Sequence, residues 1–131
     1  MPKDTIVVAD DDRVLVALVA DALRKAGFQV FPAFDSMQAM LGARQHNPKA
    51  IILDVGMPGG SGMDVLRKIK AMNKTSQIPV IVLTGSTEPS LREQAMAAGA
   101  EEFLSKPVDI PALLAAVRKA LDLPEPPAAP A

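Results

Sequence analysis

Ala50-Ile51-Ile52-Leu53-Asp54-Val55-Gly56-Met57-Pro58 is an apolar run that ends on one carboxylate and then turns on glycine and proline. It is too short for a helix. Aliphatic residues filling successive positions predict a strand covered on both faces, as in a parallel sheet. Asp54 then stands at the strand's carboxyl end. In an open α/β sheet that edge collects the loops and helix N-termini, and ligands bind there.

Working outward, Thr5-Ile6-Val7-Val8-Ala9 is a second short apolar run and ends in Asp10, Asp11 and Asp12. From Arg13 to Ala26 the apolar positions Leu15, Leu18, Val19, Ala22 and Leu23 recur at helical spacing, with Asp12 as N-cap and Gly27 as the stop. Phe28 to Phe34 predicts a second strand, placed at a sheet edge because Pro32 has no amide hydrogen to give a neighbour. Ser36 to Gln45 predicts a second helix. Ser61 with Asp64 resembles a capping box opening a third helix, whose buried stripe is Val65, Leu66, Ile69 and Met72. Residues 78–83 give a fourth strand ending on Thr84, and Pro89 suits the first turn of a helix running to Gly99. Glu102-Phe103-Leu104 is a short fifth strand. After Ser105-Lys106-Pro107, Asp109 caps a last helix with Ile110, Leu113, Leu114, Val117 and Leu121 on one face.

Five strands alternating with five helices predict an α/β fold of flavodoxin-like type, a doubly wound parallel sheet in the order 2-1-3-4-5. With 131 residues the chain has room for one core, expected over residues 1–122. Residues 123–131, rich in Pro and Ala, read as a tail or linker. There is no Cys, which excludes thiolate catalysis and Cys-ligated zinc and fits a reducing, cytoplasmic setting. The net charge of −1 with interspersed signs gives no footprint for nucleic acid or an anionic membrane. No signal peptide or membrane-spanning stretch is expected.

The alternation brings Asp10, Asp11, Asp54, Thr84 and Lys106 to one sheet edge. Three ionised carboxylates about 5 Å apart would repel by about 3 kcal/mol per pair at an effective dielectric of about 20, so they call for a cation. Oxygen donors of this kind suit Mg²⁺, which keeps part of its coordination for water or phosphoryl oxygens. A metal, an ammonium and a hydroxyl around one carboxylate are what transfer of a phosphoryl group onto that carboxylate requires. Taken singly, Asp12 is a helix cap, and Asp10, Thr84 or Lys106 would be ordinary loop chemistry. His46, beside Asn47-Pro48, reads as a surface residue, and Arg67, Lys68, Lys70 and Lys74 as the exposed side of the third helix.

At these residues the sequence resembles the receiver domain of two-component response regulators, from about Asp4 to Leu121. The likeness is carried by Val-Val-Ala-Asp-Asp-Asp (residues 7–12), Ile-Ile-Leu-Asp-Val-Gly-Met-Pro-Gly-Gly-Ser-Gly (51–62), Val-Leu-Thr-Gly (82–85) and Ala-Gly-Ala-Glu-Glu-Phe-Leu-Ser-Lys-Pro (98–107), in order. It implies that Asp54 accepts a phosphoryl group from a histidine kinase or phosphotransfer protein, with Asp10, Asp11, Asp54 and the backbone carbonyl of Gly56 on Mg²⁺. Lys106 would hold a phosphoryl oxygen. By the same likeness Thr84 moves to another phosphoryl oxygen and Phe103 turns inward. That changes the surface of the fourth helix, fifth strand and fifth helix, which addresses a downstream protein or output domain. A cis Lys106-Pro107 bond and an option of phosphorylation-linked dimerisation follow from the resemblance too. No separate substrate is expected, so the chain reads as a switch that assists its own phosphorylation and dephosphorylation. It departs from the pattern at Gly56, which puts no side chain beside the acceptor, at Ser61, which replaces an acid, and at Phe103, which lacks a hydroxyl.

Other classes fit less well. A fixed docking module would not need the acids together with Thr84 and Lys106. A flavin-binding protein would want hydroxyls, not acids, after the first strand. An aspartyl phosphatase of the haloacid-dehalogenase type would want a second Asp at the place of Gly56.

Overall fold

A computed structural model describes residues 4–56 and 62–123. The elements alternate as β1 (Thr5–Ala9), α1 (Arg13–Lys25), β2 (Gln29–Ala33), α2 (Ser36–Gln45), β3 (Ala50–Leu53), α3 (Gly62–Ala71), β4 (Val80–Thr84), α4 (Leu91–Ala97), β5 (Glu102–Ser105) and α5 (Ile110–Ala120). The strands form one parallel sheet in the order β2-β1-β3-β4-β5, as the alternation predicts. β2, with Pro32, lies at an edge.

Every residue of β3 and β4 is buried. Successive side chains feed opposite cores, since strand side chains alternate with a period of two. Val7, Ile51, Leu53, Val80 and Val82 pack on one side with Leu66 and Ile69 of α3 and Ala95 of α4. Ile6, Val8, Ile52, Ile81 and Leu83 pack on the other with Val16, Val19 and Leu23 of α1 and Leu113 and Val117 of α5. Each aliphatic side chain fully withdrawn from water contributes about 1.5–3 kcal/mol, so the central strands anchor the domain from both faces.

Asp12 caps α1 by accepting the Leu15 amide, and Asp109 caps α5 by accepting that of Ala112. Asp35, which the sequence reading passed over, caps α2 through the Gln38 amide. Gly27, at φ 101°, ends α1 in a left-handed turn that few other residues enter cheaply.

Several expectations need correction. In α1 the buried residues are Val16, Val19, Ala20 and Leu23, while Leu18 is 51 % exposed. This helix is apolar nearly all round, so periodicity alone does not choose its inner face. β4 begins at Val80, after Pro79, because proline cannot donate within a central strand. Pro89 lies before α4, which starts at Leu91 and ends at Ala97. Met72 falls beyond α3 and is only half-buried. Lys70 does not share the exposed side of α3 with Arg67 and Lys68. Its Nζ turns back to donate to the carbonyls of Ile78 (2.7 Å) and Ser76 (3.3 Å), tying α3 to the entry of β4. Ser61, the proposed capping box and residues 124–131 of the tail lie outside the described residues.

The start of α3 is pressed against the end of β3: the Gly62 amide donates to the Val55 carbonyl at 3.1 Å. A β-carbon on Gly62 would sit 2.1 Å from the Cα of Val55, a backbone atom that cannot step aside. Alanine would gain about 1 kcal/mol of helix propensity. Forcing atoms into a packed site costs about 1–3 kcal/mol, and more where backbone must move. Gly62→Ala is therefore expected to lose about 2 kcal/mol net, measured as a lower urea midpoint at unchanged denaturant slope.

Candidate functional site

Strand register builds the site. Ala9 pairs with both Ala33 and Leu53, so the next residues of β1 and β3, Asp10 and Asp54, emerge side by side. The Asp54 amide donates to the Ala9 carbonyl (2.9 Å) and the Asp10 amide to that of Ala33 (2.9 Å), holding both backbones at the last rung. Thr84 pairs with Ser105, and the Lys106 amide donates to the Thr84 carbonyl at 2.9 Å, so Lys106 leaves β5 beside the end of β4. The Lys106-Pro107 bond is cis, as expected.

Asp10 and Asp54 are buried, at 3 % and 6 % exposure, whereas Asp11 is exposed. Each buried carboxylate has one oxygen fixed by a local amide: Asp12 N–H donates to Asp10 Oδ1 and Gly56 N–H to Asp54 Oδ1, both at 2.9 Å. The remaining oxygens turn to one ammonium. Lys106 Nζ lies 2.8 Å from Asp10 Oδ2 and donates to Asp54 Oδ2 at 3.1 Å. The contact with Asp10 Oδ2 is one of charge without hydrogen-bond alignment. Among the described residues this oxygen is the one buried side-chain polar atom that has no hydrogen bond.

Burial raises the Asp10 pKa above its ordinary value and the Asp54 charge adds to the effect, while Lys106 and the Asp12 amide oppose it. Burial works to lower the Lys106 pKa, but the Asp10 and Asp54 carboxylates overcome it and raise the value. One ammonium thus serves two buried anions and leaves Asp10 undercompensated. Oxygens of Asp10, Asp11 and Asp54 lie within 4.8 Å of one another. Three hard donors, one without a hydrogen bond, fit a divalent cation that prefers oxygen.

Thr84 is buried, and its hydroxyl oxygen accepts from the Ser86 amide at 3.2 Å. Phe103 is 9 % exposed and packs in the core on the side of α3 and α4, the side its strand partner Val82 also faces. Among the described residues, a β-carbon added at Gly56 would make one contact, an ordinary one of 3.4 Å with Asp54 Oδ1. His46 is exposed at the end of α2, before β3 begins, and its ring lies tilted against that of Phe31 with centroids 4.1 Å apart. Sequence reasoning missed Arg13, whose guanidinium sits 4.0 Å over the Phe34 ring and fastens the start of α1 to the chain after β2. An Arg beside an acidic run, with an aromatic at the next strand's end, is the signal that was available.

Residues 6–118 match the family model described as "Response regulator receiver domain". The chain is 35% identical over 116 residues to the KDP operon transcriptional regulatory protein KdpE of Escherichia coli, covering 88% of this chain and 50% of that one. It is 34% identical over 117 residues to the probable transcriptional regulatory protein TcrX of Mycobacterium tuberculosis, covering 89% and 49%. The chain thus spans about half the length of the curated relatives it matches. Among solved structures it resembles the chemotaxis response regulator CheY4 of Vibrio cholerae, with 27% identity, a TM-score of 0.84 and coverage of 92% and 100%. It also resembles the receiver domain of sensor histidine kinase PA1611 from Pseudomonas aeruginosa, with 26% identity, a TM-score of 0.83 and coverage of 92% and 99%. That structure is described with a magnesium ion coordinated in the active site cleft.

The raised Asp10 pKa fixes the sign of a pH effect. Between the ordinary carboxylate value and the raised one, the folded state holds a proton that the unfolded state has lost, so stability falls as pH rises through that window. Above the raised value the full penalty is present, with the attraction to Lys106 already counted. Asp10→Asn, which keeps an acceptor for the Asp12 amide, should therefore raise the thermal midpoint at pH 7 in a chelator. The gain should disappear on acidification below the ordinary Asp value, as measured by melting curves across pH.

Proposed function

The chain belongs to the response regulator receiver domain family, and on that premise we propose that Asp54 is its phosphoacceptor, with Asp10, Asp11, Asp54 and the backbone carbonyl of Gly56 holding Mg²⁺. The observation that carries this reading is the Lys106 ammonium set between the buried carboxylates of Asp10 and Asp54, with Asp11 alongside. Bound there, Mg²⁺ would neutralise phosphoryl oxygens and offset the crowded carboxylates.

The donor is a phosphohistidine of a histidine kinase or phosphotransfer protein. Its phosphorus–nitrogen bond breaks as a phosphorus–oxygen bond forms to Asp54, and the departing imidazole nitrogen takes up a proton. The Gly56 amide holds Asp54 Oδ1 in place during attack. Lys106 moves from pairing two carboxylates to neutralising a phosphoryl oxygen, and the Thr84 hydroxyl donates to another. The chain acts as a switch that assists its own phosphorylation and dephosphorylation, not as an enzyme with a separate substrate.

The added anion, with about two charges, favours whichever packing brings Thr84 and Lys106 to it. Thr84 and Phe103 form the switch pair. The responsive surface, α4-β5-α5, then meets a downstream protein or an output domain, with a phosphorylation-linked dimer as one form of output. Among the described residues no helix is long and apolar enough to cross a membrane, and a cytoplasmic site of action is part of this proposal. Direct nucleic-acid binding by this domain is not.

Incubation with Mg²⁺ and labelled acetyl phosphate should give a base-labile label on wild-type protein and none on Asp54→Asn; a chelator should abolish it. A wild type that stays unlabelled would refute the reading. At Gly56 the added contact is tolerable, so Gly56→Ala should fold. By narrowing water's approach to the acyl phosphate, it should also lengthen the label's half-life severalfold; equal half-lives would show that the open position does not control hydrolysis.

A further inference from the structure

Hydrogen bonds run outward from the buried Thr84 hydroxyl. Its oxygen accepts from the Ser86 amide, and Ser86 Oγ accepts from the Glu88 amide at 3.3 Å. Glu88 Oε1 accepts from the Ser90 hydroxyl at 2.9 Å and from Gln94 Nε2 at 3.5 Å, while Gln94 Nε2 also reaches Ser90 Oγ at 2.9 Å. The bonds therefore connect the end of β4 to α4 through a loop, residues 85–90, that is exposed throughout. Hydrogen bonds rather than packing hold this loop.

The helix at the far end depends on such ties. α4 has seven residues, too few to be stable alone, and buries only Leu91 and Ala95. Ser90 stands at its N-cap position with φ −86° and ψ −6° and makes no side-chain cap bond. Its hydroxyl is committed to Glu88 instead. A residue type that normally caps is thus diverted to a carboxylate two positions back, and that carboxylate also holds Gln94.

We infer that Glu88 is a positioning residue for the phosphoacceptor site, keeping the loop in the arrangement that supplies Thr84 with its Ser86 amide and so restraining Thr84 from turning to a phosphoryl oxygen. This rests on the role proposed for Thr84. When the hydroxyl turns, either the Ser86 amide loses its acceptor or the loop follows, and a following loop must break the contacts of Glu88 with Ser90 and Gln94. Those contacts favour the resting packing. Removing them shifts the population toward the engaged one by about fivefold, the equivalent of one ordinary net hydrogen bond.

The test compares rates of labelling by acetyl phosphate and Mg²⁺ in the whole chain. Glu88→Ala should take up label about fivefold faster than wild type. Glu88→Gln, whose amide oxygen can accept the same two bonds, should return to the wild-type rate. In a Thr84→Ala background, Glu88→Ala should change nothing, because the residue through which it acts is gone. A wild-type rate in Glu88→Ala would overturn the inference while leaving the phosphoacceptor reading intact, and so would an acceleration that persists without Thr84. A wild type that takes no label would overturn both.

Discussion

Two buried carboxylates brought together by neighbouring strands are the constraint around which this domain is arranged. Asp10 and Asp54 have no freedom to separate, because parallel register fixes the residues before them side by side. Burial makes their charge costly, and a single ammonium from the end of β5 meets both. A site wholly satisfied by its own chain would have little reason to take up a cation or exchange partners. Here the compensation is incomplete at Asp10 Oδ2, and the acidic edge keeps a demand for positive charge that its own lysine does not meet.

That arrangement needs rigid supports, and the sequence spends its most apolar residues on them. β3 and β4 are buried along their whole length, and their side chains alternate between two cores. Slippage by one residue would send Ile51 and Leu53 into the wrong core and swing Asp54 away from Asp10, so packing enforces the same register the site requires. Gly62 serves the same end, because only a residue without a β-carbon lets α3 start directly against Val55. The lack of a β-carbon at one position thus holds the start of α3 against the residue that follows Asp54.

This division explains which features were legible in the sequence. Short, mostly apolar strands, all but the second closed by an acid, a threonine or a lysine, announce themselves, and the topology then dictates that Asp10, Asp54, Thr84 and Lys106 converge. Features that depend on where a long or ambiguous side chain turns were not legible. Lys70 has the helical phase of a solvated residue, yet its stem is long enough to reach two carbonyls beyond the helix end. Leu18 and Val16 are equally apolar, and only the packed sheet decides between them. Pro89 suits either the first turn of a helix or the turn before one. The run Ser86-Thr87-Glu88-Pro89-Ser90 offers so many donors and acceptors that no spacing rule selects the pairs that form.

The same contrast in anchoring separates sensing from response. Opening β3 or β4 would expose aliphatic side chains on both faces, so these strands belong to the most stable part of the fold. α4 is short, buries two side chains and is tied at its start through exposed polar groups, so its alternative placements differ from the observed one by few interactions. A change of charge at the rigid edge cannot be relieved by moving the strands. It would be relieved where motion costs least, and the backbone leads from Thr84 through an exposed loop directly into that helix. Under the proposed phosphorylation of Asp54, a switch rigid at that residue and compliant at α4 would therefore follow from the unequal burial of successive elements, without any element designed solely to transmit the signal.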